Sequence, residues 1–289
     1  MKILITGSDG QLGTDLCIAL KKHELVPLTI GDGDIADLAF IKARALKHRP
    51  DVIINTASFL RVDDCEDQRE LAFRVNSLGA RNAALAAQEI KAKLVHISTD
   101  YVFGGEAVPR STPYLEEDKP SPCNVYGASK QEGDGHVRRV CRNHVIVRSS
   151  TLFGTAGAMG KGGNFVETII KLAKERPELR VVNDQVFSPT YTHDLAAKIA
   201  QIIEIEFSGI IHVTNSGACS WYEFTVEILK QAGLKTPVVP ITSDQFPQKA
   251  KRPRYSVLGH GALQRLGLDD LPPWQEALAD YLKLKGPIQ

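Results

Sequence analysis

The order of apolar segments predicts an α/β fold: a doubly wound parallel sheet with helices on both faces. Short runs rich in Ile, Leu and Val alternate with longer stretches of helical period from the N-terminus to about residue 148. The first run leads directly into a glycine turn and a helix, the arrangement that opens such sheets. The remaining chain reads as a smaller, mixed α/β C-terminal part, with one return to the sheet.

Lys2 to Thr6 is the first strand, and Gly7-Ser-Asp-Gly10-Gln-Leu-Gly13 follows it, opening a helix to about His23. Gly7 permits the tight turn, Gly10 lets backbone approach a pyrophosphate, and Gly13 lets helix and strand pack closely. With Gln11 and Leu12 in the first helical turn, this is the context of a Rossmann-type dinucleotide site: N–H groups at a helix start facing an anion. The spacing is Gly-x-x-Gly-x-x-Gly and not the commoner Gly-x-Gly-x-x-Gly. Glu24 to Ile30 is the second strand. After it, Asp32 and Asp34 both stand where a carboxylate would hydrogen-bond an adenosine ribose, with Ile35 beside them. That tilts the cofactor toward NADH, while Arg44 keeps NADPH open. Asp37 reads as the N-cap of a helix from Leu38 to Lys47.

Asp51 to Thr56 is the third strand, running into Ala57-Ser58-Phe59-Leu60. Small residues there let a flat cofactor lie on the sheet edge, so Ala57, Ser58 and Leu60 join the cofactor residues. One long helix is expected over about 70–89, with Leu71, Val75, Leu78 and Leu85 near its apolar stripe and Asn76 as a hydrogen-bonding brace. Lys93 to Ser98 is the fourth strand and delivers Thr99 and Asp100 to the same rim. A surface loop over 104–122 leads to Tyr126-Gly-Ala-Ser-Lys130, which opens a helix to about Arg142. The chain then returns to the sheet at Asn143 to Arg148. The glycine-rich stretch Gly154 to Gly163 reads equally as a lid or a plain flexible loop. Helices follow over about 164–174 and 194–204, strands at 181–187 and 210–214, a Ser220/Glu223 capping box, and a last helix over about 274–285. The domain reading is a dinucleotide-binding part over 1–150 with a return segment at about 189–215. A substrate-binding part then covers about 151–188 and 216–289.

Tyr126 and Lys130 are four apart and share one helix face. A free phenol titrates near pH ~10, and a neighbouring ammonium favours the phenolate. The pair suits proton transfer to a carbonyl oxygen while another group delivers hydride. By itself Tyr-x-x-x-Lys is weak, because both residue types are common on exposed helix faces.

With a formal net charge of +1, 43% hydrophobic and 24% charged residues, nothing points to nucleic acid or an anionic membrane. No apolar run reaches bilayer-spanning length, and no secretory signal precedes the first strand. The five scattered cysteines fit reduced thiols in a cytoplasmic protein, and the histidines show no metal-ligand spacing.

Taken together, these stretches resemble the extended short-chain dehydrogenase/reductase family, and within it the dTDP-4-dehydrorhamnose reductases. The resemblance runs nearly end to end. It is carried by Ile5-Thr-Gly-Ser-Asp-Gly-Gln-Leu-Gly13, Asp34-Ile-Ala-Asp37, Ser98-Thr-Asp-Tyr-Val-Phe-Gly104, Asn124-Val-Tyr-Gly-Ala-Ser-Lys130, Asn164-Phe-Val166, Asn183-Asp-Gln185 and Arg252-Pro253 with Ser256. It implies an NAD(P)H-dependent reductase of a nucleotide-linked 4-keto-6-deoxy sugar. Tyr126 would give the proton, Lys130 would lower its pKa and hold the nicotinamide ribose, and Thr99 would polarise the carbonyl. Asp100, Thr151, Asn164, Arg252 and Arg254 are the expected substrate residues, with the two arginines set against a diphosphate. The chain departs from the family pattern at Arg148-Ser-Ser-Thr151, where a Trp usually follows, and at His193, where some relatives carry a magnesium-binding acid. No metal is therefore expected. A reductase or epimerase of another nucleotide sugar stays open. So do a non-catalytic NAD(P)-binding regulatory subunit, like the methionine adenosyltransferase β subunit, and a homodimer.

Overall fold

The computed structural model describes residues 1–108, 110–157 and 163–286. Most of the interior of the Gly154–Gly163 stretch, read above as a lid or a plain loop, lies outside the described residues. Six strands form one parallel sheet: β1 (Lys2–Thr6), β2 (Glu24–Leu28), β3 (Val52–Asn55), β4 (Lys93–Thr99), β5 (His144–Ser149) and β6 (Gly209–His212), in the order β6-β5-β4-β3-β1-β2. The chain starts in the interior, goes outward to β2, then crosses over β1 to β3. The switch point of the sheet is therefore the crevice beyond the carboxyl ends of β1 and β3.

Successive residues of a strand face opposite ways, so a continuous apolar run feeds two cores. Ile3, Ile5, Val52, Ile54, Val145 and Val147 pack with Leu16 of α1 (Gln11–Ala19) and Leu195 and Ile199 of α8 (Thr192–Ile202). Leu4, Ile53, Leu94 and Ile146 face Ile41 of α2 (Leu38–His48), Ala83 of α5 (Gly79–Ile90) and Val137 of α6 (Val125–Val140). A third, aromatic core draws on residues from 153 to 281. Phe153 stacks on Tyr191 at 5.5 Å, and Phe224 meets Trp274 edge-on at 5.6 Å. Three small strand pairs border it, two parallel and one antiparallel, as a mixed C-terminal architecture requires. The predicted capping box is formed: Glu223 N–H donates to Ser220 Oγ at 3.1 Å, and Ser220 N–H to Glu223 Oε2 at 2.7 Å.

The helix expected over 70–89 is present but carries a π turn. The chain forms α3 (Val62–Asp67), α4 (Arg69–Phe73), a π turn over Arg74–Leu78, and then α5. The widened turn swings Asn76 inward. Its Oδ1 accepts from Phe59 N–H (2.8 Å) and Ser58 Oγ (2.9 Å), while Nδ2 donates to Phe59 O and Ser129 Oγ, both at 3.0 Å. The brace expected of Asn76 is thus present, at the cost of helix regularity, which is where π turns tend to occur. No helix among the described residues is long and apolar enough to cross a membrane.

Candidate active site

The turn between β1 and α1 lies at the switch point. Gly7 has φ +67°, and Thr56 at the end of β3 donates to its carbonyl at 3.0 Å. A Cβ on Gly13 would sit 2.2 Å from Gly7 O and 2.7 Å from Ser8 Cα, so no side chain fits there. The first turn of α1 has Gly10 as its N-cap and no side-chain cap, which leaves its N–H groups for an anion. The buried Nε2 of Gln11 has no hydrogen-bond partner. These features fit a dinucleotide pyrophosphate. The Leu12 and Ile35 side chains belong to the two sheet cores, so whatever they offer a ligand comes from the main chain. Asp34 is not a free carboxylate: Arg74 lies 2.6 Å from its Oδ2, and Ala36 N–H donates to Oδ1. Asp32 accepts from the N–H and hydroxyl of Thr29, which hold its carboxyl below the usual range. Ala57, Ser58 and Leu60 are half-buried along the same crevice.

One strand over, Thr99 ends β4 and Tyr126 stands in the first turn of α6. Asn124 caps that helix, accepting from Gly127 N–H at 2.8 Å, and Glu66 Oε1 accepts from Val125 N–H at 2.9 Å. The Tyr126 hydroxyl is within hydrogen-bonding reach of both Thr99 and Ser58, and its ring meets Tyr101 edge-on at 5.9 Å. Thr99, Tyr126 and Ser58 are therefore one cluster. The expected lowering of the phenol is not found. Removal from water pushes Tyr126 well above the ordinary tyrosine range, Asp100 pushes it further, and the two hydroxyls pull it back only in part. Lys130 spends one proton on the Ile97 carbonyl at 2.6 Å, and burial brings its own pKa down to about 8.

Asp100 is a corrected expectation. It is 2% exposed, and both oxygens are taken: Oδ1 accepts from Thr99 (3.1 Å), Oδ2 from Ser150 (2.8 Å) and Ser256 (2.6 Å). It ties the ends of β4 and β5 to the 256 segment. Burial outweighs the three hydroxyls and raises the carboxyl from 3.8 to about 6. A raised folded-state pKa contributes stability that is full below the unfolded value and lost as pH rises through about 6. We therefore expect Asp100→Asn to flatten the fall in stability between pH ~4 and ~7, by on the order of 2–3 kcal/mol. Urea midpoints across that range test it, and parallel slopes for the two proteins would refute it.

The other expected substrate residues divide. Thr151 has φ +40°, a left-handed conformation that costs a β-branched residue ~1–2 kcal/mol and tends to occur at functional sites. It stands just past β5, and its carbonyl accepts from Thr190 N–H at 3.1 Å. Asn164 is committed elsewhere: it caps α7 (Phe165–Glu175), accepting from Glu167 N–H, and donates to Gly154 O and the Tyr281 hydroxyl. Arg252 is likewise engaged, with Asp63 Oδ2 at 3.0 Å and the Ala250 carbonyl at 3.0 Å. Arg252 and Arg254 share the wall of a cavity of about 370 Å³ with Lys251, Arg110, Tyr255 and Gln185, and Arg254 is exposed there. The segment is clasped to the site: Asn124 Nδ2 donates to Lys251 O at 2.8 Å, and Ala250 N–H donates to Asp63. His193 is exposed, its Nδ1 3.7 Å from Asp194.

Sequence reasoning missed Arg74 beside Asp34, the two serines on Asp100, and the Asp63 clasp. All depend on contacts across 40 to 189 positions of chain, for which a single sequence carries no period or spacing.

A family model described as RmlD substrate binding domain matches residues 1–285. The spore coat polysaccharide biosynthesis protein SpsK of Bacillus subtilis is 42% identical over 98% of this chain and 97% of its own length. The dTDP-4-dehydrorhamnose reductase of Mycolicibacterium smegmatis is 38% identical, over 96% of this chain and 84% of its own. Among solved structures, the dTDP-4-dehydrorhamnose reductase of Bacillus anthracis in complex with NADP superposes with a TM-score of 0.92. It is 40% identical, over 98% of this chain and 99% of that one.

Proposed function

The chain belongs to the RmlD substrate binding domain family, and from that premise we propose that it is an NAD(P)H-dependent reductase of a nucleotide-linked 4-keto-6-deoxy sugar, dTDP-4-dehydrorhamnose reductase-like. The observation that carries this reading is the Thr99–Tyr126–Ser58 cluster beside an uncapped, glycine-walled helix start. Gly7, Gly10, Gln11, Leu12 and Gly13 hold the cofactor pyrophosphate. Asp34 and Ile35 line the adenosine end, with Arg74 a cation that suits NADPH as well as NADH, and Ala57, Ser58 and Leu60 border the path to Tyr126 and Lys130. The bound cofactor supplies hydride.

The protein's own residues handle the proton and the orientation. Thr99 turns its one hydroxyl proton from Asp100 Oδ1 to the keto oxygen and polarises it. Tyr126 passes its hydroxyl proton to that oxygen as it becomes an alkoxide. A phenol held above its usual range keeps its proton at neutral pH and is loaded for the reductive direction. Lys130 places a positive charge behind it. Residues 1–150 with 189–215 form the cofactor part and the rest the substrate part, with Arg254 on the diphosphate and Thr151 at the sugar.

The test is NADPH and NADH consumption with dTDP-linked 4-keto-6-deoxy sugar and a panel of other nucleotide-linked keto sugars. Cofactor binding without turnover on any of them sinks the reading. Arg254→Gln is expected to raise KM ~10–100-fold with kcat kept, the loss of one charge-assisted bond. An unchanged KM removes Arg254 from the diphosphate.

A further inference from the structure

Behind the site rim, α6 turns a second ionisable side chain inward. Lys130 and Asp134 lie one turn apart on the same face and are 2% and 3% exposed. From β5, Arg148 Nε donates to Asp134 Oδ2 at 3.3 Å. From β4, the Ser98 hydroxyl stands beside the carboxylate, and His96 Nε2 lies 3.8 Å from Oδ1. Arg148 is itself 2% exposed, set 5.2 Å over the Phe103 ring. A buried ion pair seldom stabilises more than apolar residues of the same volume, so this pair asks for another explanation.

The charges around Lys130 supply one. Asp134 faces it from its own helix, and Arg148, from β5, faces Asp134, while Asp100 and Tyr126 stand at the rim. His96 stays neutral, because burial and the lysine both disfavour imidazolium. Of the other elements against α6, α3 brings Cys65 and the Glu66 carboxylate, which accepts from Val125 N–H at the start of the helix; α4 brings Phe73, the π turn Asn76, and α5 Ala80 beside Gly133 and Arg81 toward His136. With Asp134 ionised, the trio Lys130, Asp134 and Arg148 carries one surplus positive charge; without it, two. A second buried cation is relieved most easily by deprotonating the lysine, since guanidinium does not titrate in this range.

We propose that Asp134, with Arg148 as its counter-ion, is a positioning residue that keeps Lys130 an ammonium at the back of the active site. The link to turnover rests on the role given to Lys130 above; the electrostatic coupling does not. Burial pushes the Asp134 carboxyl up and Arg148 is the group that pulls it back most; Asp134 in turn favours the Lys130 ammonium against burial, and the Ile97 carbonyl fixes the direction of one N–H.

Two readouts separate these statements. The first is the titration of Lys130 itself, followed by the 13Cε shift in protein labelled at lysine and assigned by its loss in Lys130→Met. The second is the pH dependence of reduction and of NADPH binding. In Asp134→Asn the lysine midpoint is expected to fall by ~1 pH unit or more, the range for losing an opposite charge a few ångströms away. The high-pH limb of kcat should move down with it, and Asp134→Glu should restore both. The same substitution in an Arg148→Met background spares the fold an unpaired guanidinium and should again lower the midpoint relative to Arg148→Met alone. An unmoved midpoint in either background, in folded protein, overturns the proposal. A midpoint that moves while the kcat limb stays upholds the hold of Asp134 on Lys130 and instead removes Lys130 from the reaction.

Discussion

Tyr126→Phe is expected to lower reduction of the keto sugar ~10²–10⁴-fold while leaving cofactor affinity within a few-fold of the parent. The substitution deletes one hydroxyl, the one within reach of Thr99 and Ser58, and keeps the ring that packs edge-on against Tyr101. Fold and cofactor seat should therefore survive, and single-turnover rates measured with saturating NADPH isolate the chemical step. The pH profile adds a sign. Because burial holds the phenol protonated well past neutrality, ionisation of Tyr126 does not cut activity in the ordinary range. The alkaline limb belongs to Lys130, whose pKa stands at about 8. Near-full turnover in the phenylalanine variant would falsify the assignment of the acid.

Gly127→Ala should be nearly as damaging, although it touches no reacting group. On helix propensity alone, alanine would gain ~1 kcal/mol over glycine at this position. The close approach decides otherwise: a Cβ there would lie 2.0 Å from the Tyr101 carbonyl oxygen and 2.9 Å from its carbon. Both contacts are backbone, so α6 and the turn at Asp100–Val102 must separate by about an ångström or more. That turn follows Thr99, and α6 carries Tyr126, so the separation opens the distance between the two proposed partners of the keto oxygen. A misplacement of ~1 Å costs ~10²-fold in rate. The expected result is a kcat loss of that order with a lowered melting temperature. Unchanged kcat would mean that the turn yields without moving Thr99.

Local signals made the sheet legible. Short apolar runs at Ile3–Ile5, Val52–Ile54 and Leu94–Ile97, the last interrupted by His96, read as strands buried on both faces, and the glycine turn after the first marked the switch-point crevice. The proximity of Thr99 and Tyr126 was legible because one strand end and one helix start determine it. Residues whose role depends on distant partners were not. Asp100 looks like a rim carboxylate until Ser150 and Ser256 are seen to occupy it, and Asn164 looks like a ligand until α7 claims it as a cap. The π turn escaped for a different reason: the regular helical period places Leu78 on the inward stripe, whereas the widened turn leaves Leu78 exposed and buries Asn76 and Ser77, a choice made by hydrogen bonding to Phe59 and Ser129. The sign of the Tyr126 shift escaped because spacing shows which charges are near, not how much water is lost.

The knot on Asp100 also bears on how such chains can be recombined. Three positions at 100, 150 and 256 meet at one carboxylate, each from a different stretch of chain. A chimaera whose exchanged 243–258 segment lacks a hydroxyl at position 256 would leave that buried oxygen one donor short. Ser150, Ser256 and Asp100 must therefore travel as one module, and transplanted sugar preference should take hold only where all three come from the same parent.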